Sequence, residues 1–92
     1  MLANPSKVLI EGDGIEVFYV PSHWHAEHDE YHTVTKGTIE VTQTFNDGTR
    51  RVHVVRPEDG ALFTPRGVVH SIRSFQGIPF LLEEVTQPSV SR

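Results

Sequence analysis

Four histidines, His23, His25, His28 and His32, fall within ten residues of a 92-residue chain that holds six in all. His23-Trp24-His25 sets two imidazoles two residues apart, and on a strand that spacing turns both to one face, about 6–7 Å from each other. Glu30 follows after a short stretch able to turn the chain, and His70 stands on a later strand beyond a Pro65-Arg66-Gly67 turn. Three neutral imidazoles with one carboxylate form a borderline-to-hard donor set suited to one divalent transition metal, Fe, Mn, Ni, Zn, Co or Cu. The chain has no cysteine. That excludes thiolate zinc sites, iron–sulfur clusters, disulfides and cysteine nucleophiles together. An open site is therefore expected in preference to a closed structural one.

A helical alternative exists for His28-Asp29-Glu30-Tyr31-His32, where two histidines at i and i+4 would share a face as in the H-E-x-x-H metalloproteases. Asp29 stands where that motif needs its general-base Glu, and the flanking Pro21, Thr33-Val34-Thr35 and Gly37 suit a strand. For His28 and His53 a structural or solvent-facing role is expected.

These side chains need a scaffold of strands. Val, Ile and Thr make up 25 of the 92 residues, a bias toward the pleated surface. Turn residues recur at Gly12-Asp13-Gly14, Pro21, Lys36-Gly37, Asn46-Asp47-Gly48, Pro57 with Gly60, Pro65 with Gly67, and Gly77. Strands are expected over 15–20, 31–36, 38–45, 51–55, 61–64, 69–75 and 80–86. The stretch 38–45 alternates Ile39, Val41, Gln43 and Phe45 against Thr38, Glu40, Thr42 and Thr44, as a half-buried strand does. Asn46-Asp47-Gly48 suits the positive φ of a tight hairpin. No window carries a capped helical period. The expected architecture is one all-β domain with few or no helices, a barrel over about 15–86 and a polar, frayed tail at 87–92.

A net charge of −4 with eight scattered cations argues against nucleic acid as a partner. No apolar run reaches the length of a membrane span, and Pro5 interrupts the place where a signal peptide would be apolar; a cytoplasmic location is expected. A core this small makes a homodimer the expected assembly.

The stretch His23-x-His25-x4-Glu30-x6-Gly37 resembles the first motif of the cupin superfamily, and Pro65-x-Gly67-x2-His70 resembles the core of its second. The likeness covers about 15–85 and implies a small jelly-roll β-barrel. It implies His23, His25, Glu30 and His70 as metal ligands and Gly37 and Gly67 as turn glycines. The chain departs from the pattern at Val17 and Asp59, where the motifs open with Gly, and at Ser74, often Asn. Few strands are expected before Ile15, which would leave an edge for a second chain to cover.

If Glu30 points inward, period two sends His32 and Val34 inward too. His32 then stands beside the metal as a general acid or base, with Glu30 as a second proton-moving group. Tyr19 falls on the face of His23 and His25 by the same parity. Ile72 and Ser74 share the face of His70, and Phe80, Leu82 and Glu84 share one on the last strand. Trp24 is expected in core packing or a dimer contact, and Arg66 at the mouth, either solvated or facing an anionic substrate. The leading expectation is a metal-dependent cupin enzyme acting on a small organic molecule by isomerase, decarboxylase, dehydratase or dioxygenase chemistry. The alternative is a non-catalytic cupin that binds a small ligand or a metal.

Overall fold

The structure, a computed structural model, describes residues 6–16 and 18–88. The strands are β1 (Ser6–Gly12), β2 (Phe18–His23), β3 (His28–Lys36), β4 (Ile39–Thr44), β5 (Arg50–Val55), β6 (Leu62–Thr64), β7 (Val69–Ser74) and β8 (Phe80–Pro88), with one 3-10 turn at Pro57–Asp59. They form two antiparallel sheets, ordered β1-β8-β3-β6 and β2-β7-β4-β5. The sheets pack face to face as a jelly roll. No helix among the described residues is long and apolar enough to cross a membrane.

The core is built from matched rows. On β4, Ile39, Val41 and Gln43 are buried while Glu40, Thr42 and Thr44 are not, so the alternation in the sequence sets the face. Across the first sheet Val34 lies opposite Leu82, His32 opposite Glu84, and Glu30 opposite Thr86. Across the second, Ile39 lies opposite Ser74, Val41 opposite Ile72, and Gln43 opposite His70. Val34, Ile39, Val41, Val55, Ile72, Phe80 and Leu82 pack into one apolar cluster. Each contributes about 1.5–3 kcal/mol by leaving water.

Turn chemistry closes the rows. Phe45 donates its N–H to the Thr49 carbonyl at 2.8 Å and Gly48 donates to Phe45 at 2.9 Å, which makes the Asn46-Asp47-Gly48 hairpin. Gly37 takes φ +78°, and a Cβ there would run into the Pro79 carbonyl, so only glycine lets β3 turn into β4 against the chain entering β8.

The structure corrects several expectations. A full strand, β1, precedes Ile15 and pairs along its whole length with β8. The short apolar run Val8-Leu9-Ile10 has no alternation to announce it. The strand expected at 15–20 runs instead over Phe18–His23, and Ile15 is 83% exposed. At the other end β8 reaches Pro88, with Gln87 opposite Asp29 and Pro88 opposite His28. The tail expected at 87–92 thus begins as paired strand; its remainder, 89–92, lies outside the described residues, as does Val17.

Candidate metal centre

Both motif segments are delivered by strand ends and stapled to each other. His23 is the last residue of β2, opposite His70 on β7, and Glu30 is the third residue of β3. His25 lies beyond β2, in the loop between the two strands, so the expectation of one strand face for both histidines holds only for His23. A turn holds the loop in place. Gly67 donates its N–H to the His25 carbonyl at 2.8 Å, and Arg66 donates its N–H to Asp29 Oδ1 at 2.9 Å. Gly67 does this at φ +82° in open space; the backbone angle, not crowding, asks for glycine.

Here the imidazoles converge. Ring centroids lie 4.9 Å apart for His23 and His25, 4.2 Å for His23 and His70, and 5.6 Å for His25 and His70. His23 Nδ1 meets the Pro21 carbonyl at 2.9 Å and His70 Nδ1 meets the Val68 carbonyl at 3.0 Å. A carbonyl accepts only from N–H, so both rings keep Nε2 as the free lone pair. His70 Nε2 contacts Glu30 Oε1, and His25 Nε2 lies 3.3 Å from the same oxygen. The other oxygen, Oε2, accepts from Thr86 Oγ1 at 3.2 Å.

One donor atom from each of His23, His25, Glu30 and His70 falls within 4.8 Å of the others. His25 Nε2, Glu30 Oε1 and His70 Nε2 are buried without a hydrogen-bond partner. His70 Nε2 and Glu30 Oε1 have only each other, and His25 Nε2 faces the same oxygen; polar atoms buried this way cost free energy that a cation among them would offset. A cation of the size and hardness that imidazole and carboxylate prefer does so. The residues fit a metal ion.

Electrostatics of the bare site agree. Burial opposes charge on Glu30, yet His70 at hydrogen-bond range, the Glu84 carboxyl and the field of His32 hold its carboxyl well below the ordinary range. Burial likewise opposes charge on His70, but contact with Glu30 and the Val68 carbonyl raises it above 6.5.

Beneath this group lies a second cluster. His32 is fully buried, and neither ring nitrogen has a hydrogen-bond partner. Its Nε2 is 3.9 Å from Glu84 Oε2, and its ring centroid is 5.9 Å from that of His70. One donor atom each from Glu30, His32 and Glu84 also falls within 4.8 Å of the others. The inward expectation for His32 is met. Sequence reasoning gave Glu84 a face but no role, although its alternation with Phe80 and Leu82 was the available signal.

Other residues lie elsewhere. Tyr19 does not face the histidines: its ring stacks edge-on against Phe80 at 5.0 Å and its hydroxyl donates to Asp13 Oδ1 at 2.8 Å. Register shifts on both sides of Val20 break the parity count. Trp24 is 59% exposed, which removes it from core packing. Arg66 is exposed and His28 half-buried. His53 meets Gln43 Oε1 through Nε2 at 2.9 Å, while Gln43 Nε2 donates to Thr64 Oγ1 at 2.7 Å; His53 is a satisfied structural histidine. A cleft of about 680 Å³ opens by Gly12, Tyr19, Lys36 and Phe80, at the opposite end of the strands. It is lined by no histidine, so size alone does not mark the chemistry.

Comparisons with known proteins follow the same line. The cupin family model matches residues 16–83. A solved structure of Bacillus subtilis oxalate decarboxylase, a study of its Mn(II) centres, is 23% identical with a TM-score of 0.71; the match covers 96% of this chain and 22% of that one. A cupin protein from Bacteroides fragilis is 14% identical with a TM-score of 0.73, covering 99% of this chain and 71% of that one. The chain thus spans about a fifth of the oxalate decarboxylase it matches, and at these identities the likeness is one of fold. Curated protein sequences give no match.

Proposed function

Because the chain belongs to the cupin family, we propose that it is a metal-dependent enzyme acting on a small organic molecule, with His23, His25, Glu30 and His70 as the metal ligands. The observation that carries this is the trio of buried, unpartnered atoms, His25 Nε2, Glu30 Oε1 and His70 Nε2, turned toward one point. When bound, a divalent transition metal supplies Lewis acidity toward an oxygen pair such as an enolate, diol or β-keto acid. Manganese leads by likeness to the Mn(II) centres of oxalate decarboxylase; Fe, Ni, Zn, Co and Cu suit the same donors.

The chain's own residues do the rest. The Pro21 and Val68 carbonyls fix the tautomers of His23 and His70, as outer partners of ligating histidines do. Thr86 orients Glu30. His32 would give or take a proton at Nε2, with Glu84 Oε2 3.9 Å away as the neighbouring acceptor. Glu30 serves as a second proton-moving carboxylate. Val34, Leu82 and Ile72, next along the same strand faces, form the apolar floor beside this pair. Isomerisation, decarboxylation and dehydration need no redox metal, whereas dioxygenation does.

A second reading, a non-catalytic cupin that binds a metal or small ligand, draws on the complete burial of His32, which closes the proton-moving group off from bulk solvent. Metal content per chain, measured on protein never exposed to chelator beside a His70→Ala control, tests the common premise. About one transition metal per chain, lost in the variant, supports it. Folded protein without metal defeats it. His32→Phe then separates the readings: in the first, substrate turnover is lost with His32, and in the second there is no turnover and binding is indifferent to the change.

A further inference from the structure

Strand β1 is the most regular open edge among the described residues. It pairs with β8 over all seven positions without a register shift. The other edges are less suited to pairing: β2 has register shifts on both sides of Val20 and carries Pro21, and β6 is three residues long. Edge β5 sets Arg50 and Arg51 together at one end, so a symmetric partner meets no acid on that strand. On β1, Val8 is 50% and Leu9 63% exposed. A long, regular, half-apolar edge with unpaired backbone groups is a template for another strand.

The sequence of β1, Ser6-Lys7-Val8-Leu9-Ile10-Glu11-Gly12, is self-complementary when run antiparallel to itself about Leu9. Lys7 then faces the partner's Glu11, Glu11 faces the partner's Lys7, Val8 faces the partner's Ile10, and the two Leu9 side chains meet. Opposed residues in an antiparallel pair project from the same face, where opposite charges favour and like charges oppose pairing. Lys7, Leu9 and Glu11 share the outer face, and Lys7 and Glu11 are both exposed. Lys7 already lies 3.3 Å from Glu83 on the neighbouring strand, so the partner's Glu11 would complete a three-charge row.

We propose that a second copy of this chain docks on β1, joining the two β1-β8-β3-β6 sheets into one eight-stranded sheet across a twofold axis at Leu9. The contact is isologous, as closed twofold dimers are. It places no residue in the metal centre and stands whether or not the metal reading holds.

Sedimentation equilibrium on the full chain and three variants tests the register. The wild-type chain sediments as a dimer. Lys7→Glu alone sets two acids opposite each other, and Glu11→Lys alone sets two bases opposite each other; each weakens self-association at least about tenfold. An equimolar mixture of these two single variants regains dimer mass, since each edge now meets its opposite, and the Lys7→Glu/Glu11→Lys double variant dimerises with itself. Regain on mixing also shows that the single variants are folded. A wild-type chain that stays monomeric up to millimolar concentration overturns the proposal. So does a dimer untouched by the charge changes yet dissociated by Phe63→Lys on the outer face of β6, or one that the mixture fails to restore.

Discussion

Follow β3, β7 and β8 from one end of the jelly roll to the other and the inner face changes character within two residues. On β3 it reads Glu30, His32, Val34; on β7, His70 and then Ile72; on β8, Thr86, Glu84, Leu82, Phe80. The apolar end is a closed cluster of seven buried side chains. The other end holds buried polar atoms with no hydrogen-bond partner on His25, Glu30, His32 and His70. Strand periodicity selects the face, while position along the strand selects the chemistry. One end stabilises the fold by burying apolar surface; the other buries polar atoms at a cost that a bound ion would offset.

His70 and Ile72 make the sharpest contrast, since they stand two residues apart on one strand face. His70→Ala is expected to lower metal affinity by more than about 100-fold while circular dichroism stays native. Ile72→Ala is expected to cost about 2–5 kcal/mol in urea unfolding, with the folded fraction still binding metal normally. If both variants lose metal equally, the two ends are not separable.

Acidity probes the same contrast in one protein. A proton held at the His70 Nε2–Glu30 Oε1 contact competes with a metal for the same atoms, and His70 is the group whose hold on it is raised. Because His70 is raised above 6.5, affinity is expected to climb with pH through and beyond that value, about tenfold per unit for one displaced proton. The stability of the metal-free chain runs differently. The depressed Glu30 contributes fully above its ordinary 4.5 and loses that as pH falls through its folded value. The raised His70 contributes fully below 6.5 and loses that as pH rises through its folded value. Metal-free protein should thus be most stable in mild acid, and metal-loaded protein at neutral pH and above. Titrations by calorimetry and thermal melts check both slopes.

Smaller effects refine the boundary. His32→Phe replaces an unpartnered buried ring by an apolar one and is expected to raise the urea stability of the metal-free chain by about 1 kcal/mol, with metal content unchanged. A loss instead would mean that His32 is already satisfied. Trp24→Ala, on an exposed ring between two ligands, is expected to move stability by less than about 0.5 kcal/mol and to leave metal content intact.

The chemistry was more legible in the sequence than the edges of the fold. Alternation on β4 put Gln43 on one face with Ile39 and Val41, and on β3, given an inward Glu30, period two carried His32 and Val34 inward with it. The meeting of His23, His25, Glu30 and His70 followed from spacing and turns. Strand β1 escaped because Val8-Leu9-Ile10 is a continuous apolar run on an edge half open to solvent, a pattern that periodicity does not resolve. Tyr19 was misplaced because β2 shifts register around Val20, and a parity count fails at an irregular strand. Glu84 was given a face with Phe80 and Leu82 but no role, since a glutamate on a strand is ordinarily read as facing water. Only its partner across the sheet, His32, reveals why it turns inward.

The pairing of β1 with β8 also has a practical side. Ser6 lies opposite Thr86, the residue that hydrogen-bonds Glu30, so the first and last strands both reach the sheet margin at the ligand end. Anything fused before β1 or after β8 is tethered beside the cluster of His23, His25, Glu30 and His70. An affinity tag of histidines at either place would compete there for the ion it is meant to leave alone. The nearness of Ser6 to Thr86 suits the molecule to circular permutation, with a peptide joining β8 to β1 and new ends opened at the exposed Asn46-Asp47-Gly48 hairpin.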